Sequence, residues 1–146
     1  MKVWLNGSSL GRAIDRSELR RSAKTILSAL GYLEAELSVS LVSDAEIAEV
    51  AGRFGREERS TDVLAFPTRE GPGAEYRGAL IGDVIVSVET ADRQAAERRV
   101  GLDEELRDLL IHGVLHLLGM DHARAQDARD MRALEDHLRW TIAHRG

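Results

Sequence analysis

Apolar and polar positions alternate along the chain with two periods, and the switches between them mark out four strands and five helices. Lys2 to Asn6, with Val3, Trp4 and Leu5, reads as a short strand followed by a Gly7-Ser8-Ser9 turn. From about Ser17 to Leu30, Leu19, Ala23, Ile26, Leu27 and Leu30 recur at helical spacing, and Gly31 stands where a left-handed glycine ends a helix. Glu36 to Val42 sets Leu37, Val39 and Leu41 against Ser38 and Ser40, the alternation of a strand with one buried face. Ser43 and Glu46 form a capping box that opens a second helix, whose buried face is Ile47, Val50 and Ala51 and which fades between Gly52 and Gly55. Val63 to Phe66 is a third strand closed by Pro67, Thr68 to Gly78 an exposed loop, and Leu80 to Val88 the most buried strand. Three helices follow, at roughly Glu89 to Arg99, Asp103 to Leu118 and Ala125 to Ala143. The last is amphipathic through Ala128, Met131, Leu134, Leu138 and Ile142.

This order predicts an α/β, α+β-like fold in a single domain over residues 1–146. Strands one and two should be parallel across a right-handed crossover, and strands three and four an antiparallel pair. Together they make a mixed four-stranded sheet with about five helices, the third strand lying at an antiparallel edge beside a cleft. The helix from Asp103 to Leu118 is apolar around most of its circumference, through Leu106, Leu109, Leu110, Ile111, Val114, Leu115, Leu117 and Leu118, and so belongs in the core.

Composition narrows the setting. A chain of 146 residues with 43% hydrophobic and 31% charged residues suits one globular domain with a real core. No apolar run approaches the roughly 20 residues that span a bilayer, and the first residues lack the apolar stretch of a secretory signal. With no Cys there is no disulfide framework, and a cytoplasmic setting without membrane contact is expected. The net charge of −5 argues against indiscriminate coating of nucleic acid. Arg12, Arg16, Arg20 and Lys24 recur every four residues along one helical face. That stripe reads first as a solvated face balanced by Asp15 and Glu18, with phosphate contact as the alternative.

The chemistry is concentrated in His112-Gly-Val-Leu-His116-Leu-Leu-Gly119-Met-Asp121-His122. Residues four apart share a helical face, so His112 and His116 can converge on one ion, and Gly119 can turn the chain to bring His122 back. Three imidazoles with no thiolate in the chain suit one zinc ion with an open fourth position. Asp108, one turn before His112, either accepts a hydrogen bond from a ligand's second ring nitrogen or faces water. Asp121 either orients the third ligand or accepts a proton, or else stabilises the turn. The metallopeptidase motif H-E-x-x-H places a Glu after its first His, and here that position is Gly113.

These residues resemble the H-G-x-L-H-L-x-G-x-D-H motif of the YbeY family, the bacterial single-strand endoribonucleases of rRNA maturation. Ser60-Thr61-Asp62-Val63-Leu64-Ala65-Phe66-Pro67 is similar to that family's P-T-D-V-L-S-F-P, and Ile81-Gly82-Asp83-Val84-Ile85-Val86-Ser87 to its L-G-D-I-V-I-S. The order and spacing of the three segments fit over essentially the whole chain. The resemblance implies that His112, His116 and His122 are zinc ligands and that single-stranded RNA is cut. It further implies a role in late ribosome quality control and in maturing the 3′ end of the small-subunit (16S) rRNA. The implied partners are the small ribosomal subunit, one of its proteins and a ribosome-assembly GTPase.

There is one departure from the family. Its N-x2-Y-R run falls on Ala51, Phe54 and Gly55, so the arginine thought to serve catalysis is missing at Gly55. Arg56 is one residue away and is the candidate substitute, with Arg53 second; the alternative is that both are solvated loop arginines. Two other functions compete with the nuclease. One is a different zinc hydrolase, peptidase-like, which the Gly at position 113 weakens. The other is a ribosome-associated binding module with a structural zinc, which the missing arginine keeps open. His137 and His144 are read as surface residues.

Overall fold

The computed structural model describes residues 1–56, 58–59, 61–68, 80–120 and 124–145. The four strands are β1 (Lys2–Gly7), β2 (Glu36–Val42), β3 (Val63–Pro67) and β4 (Leu80–Ser87). The helices are α1 (Arg16–Ala29), α2 (Asp44–Arg53), α3 (Val88–Arg98), α4 (Leu102–Leu117) and α5 (Ala125–Ala143). The strands form one sheet in the order β1-β2-β4-β3, with β1, β2 and β4 parallel and β3 antiparallel at the edge. The fold is therefore the mixed α+β architecture expected, including the edge position of β3.

Register decides which side chains meet α4. Leu5, Val39, Val84 and Ala65 lie in one row across the sheet and Val3, Leu37, Gly82 and Pro67 in another, and Val3, Leu5, Leu37, Val39, Ala65 and Val84 join the main core. That core joins α1, α3, α4 and α5 to the sheet, with Ile26, Leu27, Leu110, Ile111, Leu115, Met131 and Leu138 fully buried. The opposite face carries a smaller cluster, in which Ile47 and Ala51 of α2 pack on Leu64 of β3 beside Phe66 and Ile85. Leu64 and Phe66 thus face α2, while Val63, Ala65 and Pro67 face the α4 side.

Most boundaries shift by a residue or two, for local reasons. Ser87 caps α3 through a bond from the Thr90 N–H, so β4 ends there and Val88 is helical. Pro67 is the last residue of β3, which an edge strand permits because its missing N–H faces no partner. Ser43 and Glu46 make both bonds of the expected capping box. Arg12 corrects the reading of a basic helical stripe. Asp15 caps α1, so Arg12 precedes the helix and its guanidinium bonds Asp92 of α3 at 3.1 Å. Residues 69–78 of the expected exposed loop lie outside the described residues. Thr68, at its start, is buried, and its hydroxyl donates to the Leu80 carbonyl.

Asp44 joins α2 to the start of α3. It accepts from the hydroxyls of Ser87 and Thr90, each at 2.6 Å, and from Arg93 at 2.9 Å. Burial alone would raise its pKa, but these hydrogen bonds and the charge of Arg93 outweigh burial and hold the carboxyl below its usual range.

Gly113 sets how closely α4 lies on the sheet. A Cβ there would stand 2.7 Å from Val84 Cγ1 and 3.0 Å from Val63 Cγ2. Both valines are stiff at χ1, so they cannot swing aside cheaply. Gly113→Ala should therefore destabilise the fold by about 1 kcal/mol, and by no more than about 2 kcal/mol, because overpacking (about 1–3 kcal/mol) is offset by the roughly 1 kcal/mol gained in helix propensity. Urea denaturation checks this, and wild-type or higher stability would contradict the close approach.

Candidate metal centre

Packed this closely, α4 turns the face bearing His112 and His116 towards the β3 edge. The two Nε2 atoms stand 2.9 Å apart, and the rings meet edge to face with centroids 4.4 Å apart. The spacing of i and i+4 on a buried helix accounts for the convergence. Two nitrogens bonded to one zinc at about 2.0–2.1 Å with a tetrahedral angle stand roughly 3.3–3.4 Å apart. The observed pair is within a few tenths of an ångström of that span, so the two imidazoles fit a single ion.

Beyond His116, α4 stops as the sequence indicates. Gly119 has φ +94°, its N–H bonds the His116 carbonyl at 2.9 Å, and the Met120 N–H bonds the Leu115 carbonyl at 3.0 Å. Asp121 and His122 lie outside the described residues, so their assignments rest on the sequence.

The paired histidines open into a cleft of about 350 Å³ lined by Val63, Ala65 and Pro67 of β3, by Gly113, and by Asp62 and Arg56 from the preceding loop. His116 also borders an adjoining recess of about 270 Å³ with Tyr32, Pro67, Ile81 and Leu117. Arg56 lies with its guanidinium 4.8 Å from the centre of the Phe66 ring while also lining the histidine cleft. Arg53 turns away and pairs with Glu49 on the exposed side of α2. Gly55, at the family's arginine position, has φ +74°, the left-handed backbone glycine accepts readily. Asp62 is held in place: its side chain accepts from the Val63 N–H at 2.8 Å and its carbonyl from the Ser87 N–H at 2.9 Å.

Asp108 settles on neither of its two readings. Its carboxylate accepts from Arg98, Arg107 and Arg139, at 3.1 to 3.4 Å, and ties α3, α4 and α5 together. Arg98 also bonds the buried Glu105. That hydrogen bond, with the charges of Glu105 and Asp108, raises the Arg98 pKa against the opposing effect of burial. The carboxylate facing a histidine is instead Glu135 of α5, whose Oε2 is 3.7 Å from His112 Nδ1 and 4.0 Å from Arg139. The sequence carried a signal for it. Glu135 falls four residues after Met131 and three before Leu138, a carboxylate set into the apolar stripe of α5. His137 and His144 are exposed, as expected, with His144 stacked on Trp140.

A larger cleft, about 540 Å³, lies between the starts of α1 and α4 and the end of α5. It contains no histidine, and its charges largely pair internally, as Arg145 with Glu18 and Arg107 with Glu104.

Fold and cleft define a class first: an α+β protein with paired histidines on a buried helix, facing an antiparallel edge strand. A solved solution structure of a Thermotoga maritima protein shares this fold, with a TM-score of 0.67, 24% identity and coverage of 96% of this chain and 88% of that one. The chain belongs to the endoribonuclease YbeY family, whose profile matches residues 7–142. A relative from Anaeromyxobacter dehalogenans named endoribonuclease YbeY is 48% identical over 122 residues, which are 82% of this chain and 61% of the relative. Its namesake from Geobacter metallireducens is 40% identical over 140 residues, covering 94% of this chain and 93% of its own. The chain thus spans 61% and 65% of the two Anaeromyxobacter relatives, but 83% of the one from Aquifex aeolicus.

Proposed function

We propose that the chain is a zinc-dependent endoribonuclease that cuts single-stranded RNA, with one zinc held by His112, His116 and His122. The observation that carries this reading is the convergence of two imidazole nitrogens at 2.9 Å in a cleft that Arg56 also lines, within a chain of the endoribonuclease YbeY family. The whole chain acts as one domain in this reading. Its substrate is rRNA, near the 3′ end of the small-subunit RNA, in the cytoplasm. The small ribosomal subunit, one of its proteins and a ribosome-assembly GTPase are the partners. Among the described residues no helix is long and apolar enough to cross a membrane.

When bound, zinc supplies Lewis-acid polarisation of a phosphoryl oxygen and activates water at neutral pH. The chain's own groups do the rest. Val63, Ala65 and Pro67 form the wall that limits water beside the scissile phosphate. The Arg56 guanidinium offers planar paired donors to phosphoryl oxygens as negative charge builds on them. Glu135 Oε2, 3.7 Å from His112 Nδ1, is the carboxylate that would steady this ring from the side away from His116 Nε2. Asp121, next to His122 in the chain, orients that ligand or takes up a proton in this reading.

The peptidase-like alternative loses further ground at Gly113. A Glu there would drive its Cβ into Val84, so α4 has no room for a base at that position. The structural-zinc alternative is countered by Arg56, a cation brought to the histidine cleft although Gly55 stands at the family position.

Zinc content and cleavage test the centre together. His116→Ala should lose stoichiometric zinc and RNA cleavage, and Glu135→Gln should weaken zinc affinity by roughly tenfold or more, as loss of a partner to a ligating histidine does. Full, tight zinc binding by His116→Ala would remove the assignment.

Arg56→Ala should cut single-stranded RNA about 10²-fold more slowly, with zinc content and thermal stability unchanged, in line with the loss of one charge-stabilising donor. Arg53→Ala is the control and should cleave at the wild-type rate. Wild-type cleavage by Arg56→Ala would mean that Arg56 does not replace the family's arginine.

A further inference from the structure

We infer that Phe54 and Phe66 form a stacking platform for an unpaired nucleobase of the RNA strand whose backbone enters the histidine cleft. This rests on the reading of the chain as an RNA-cutting enzyme, and it names the feature by which single strands are told from duplexes.

The chain has only two phenylalanines, and the fold places them together. Phe66 projects from β3 towards α2, and Phe54 is the residue that ends α2. Their ring centroids are 4.6 Å apart, with the planes inclined at 35°. The small cluster beneath is sealed by Ile47, Ala51 and Leu64, whereas Phe54 remains 63% exposed. Phe54 thus presents a large apolar ring to water with Phe66 against it.

Arg56 connects this surface to the chemistry. Its guanidinium lies 4.8 Å from the centre of the Phe66 ring and lines the cleft that holds His112 and His116, so it straddles the free edge of β3. One 4.8 Å step and one 4.6 Å step separate the guanidinium from the Phe54 ring. That is the scale of the reach from a phosphate to a neighbouring base. Arg56 is itself exposed, and its positive charge favours a phosphate backbone in a chain whose net charge is −5.

The chemistry of the occupant follows from these features. Every base presents a π face whatever its identity, so a stacking ring selects for availability and not for sequence. In a duplex both faces are already covered by neighbouring base pairs, and the ring then has nothing to bind. An unpaired base on Phe54, with its phosphate beside Arg56, meets both conditions.

The test uses the zinc-loaded full chain and a short labelled single-stranded oligoribonucleotide with phosphorothioate linkages, followed by fluorescence anisotropy. Phe54→Leu keeps apolar cover over Phe66 but removes the aromatic face, and it should weaken single-strand binding about tenfold. Phe54→Trp keeps the face and should bind at least as tightly as wild type. An oligomer with abasic positions should bind wild type and Phe54→Leu equally, and in cleavage assays the Phe54→Leu loss should fall on KM. Zinc content and thermal midpoint are measured for each variant, so that a folding defect is recognised. If Phe54→Leu is folded and binds the single strand as wild type does, the platform is wrong while the nuclease reading stands. If wild type neither binds nor cuts the single strand in preference to a duplex, the nuclease reading fails and takes the platform with it.

Discussion

The close approach of α4 to the sheet at Gly113 is the constraint on which the site depends. With only a hydrogen facing Val84 and Val63, α4 settles directly onto β4 and the edge strand β3. His112 and His116 flank this contact, one residue before it and three after it. The packing that buries Leu110, Ile111, Val114 and Leu115 therefore also fixes where the two imidazoles point. Gly82 performs a similar service from the strand side: a Cβ there would meet Leu117 Cδ1 at 2.3 Å and the Phe66 carbonyl oxygen at 2.6 Å. Small residues on both surfaces let a helix end and a strand end meet beneath the cleft.

Charged groups brace this arrangement from outside. Asp108 gathers arginines from α3, α4 and α5, and Arg139 passes from Asp108 to within 4.0 Å of Glu135, which faces His112. Each exposed pair alone contributes little to stability. Their value is geometric, because a network spanning three helices restrains the angle at which α5 presents Glu135 to the histidine. On the other side of the cleft the restraint comes from the backbone, where Ser87 and Val63 both bond Asp62.

Much of this was legible in the residues, because local rules and tertiary packing agree over most of the chain. The capping box at Ser43, the alternation in β2 and the stripe of α5 predict their elements closely, and β2 and α5 fall on their predicted limits. What could not be read depended on contacts between distant segments. The four-residue recurrence of Arg12 with Arg16 looked helical, but Asp15 takes the cap and Arg12 finds Asp92, eighty residues on. Asp108 and Glu135 are both carboxylates on helices near His112, and only the crossing of α4 with α5 decides which one faces the imidazole. Arg56 was visible as a candidate from the gap at Gly55. Its place over Phe66 required the edge position of β3, which strand order alone determines.

X-ray absorption at the zinc edge of the full chain, purified with metal, addresses the central claim most directly, because it counts ligands without relying on any variant. The account predicts one zinc per chain, with three imidazole nitrogens and one light oxygen scatterer in the first coordination sphere at about 2.0–2.1 Å. A first sphere without imidazole, or with a single imidazole, would contradict it.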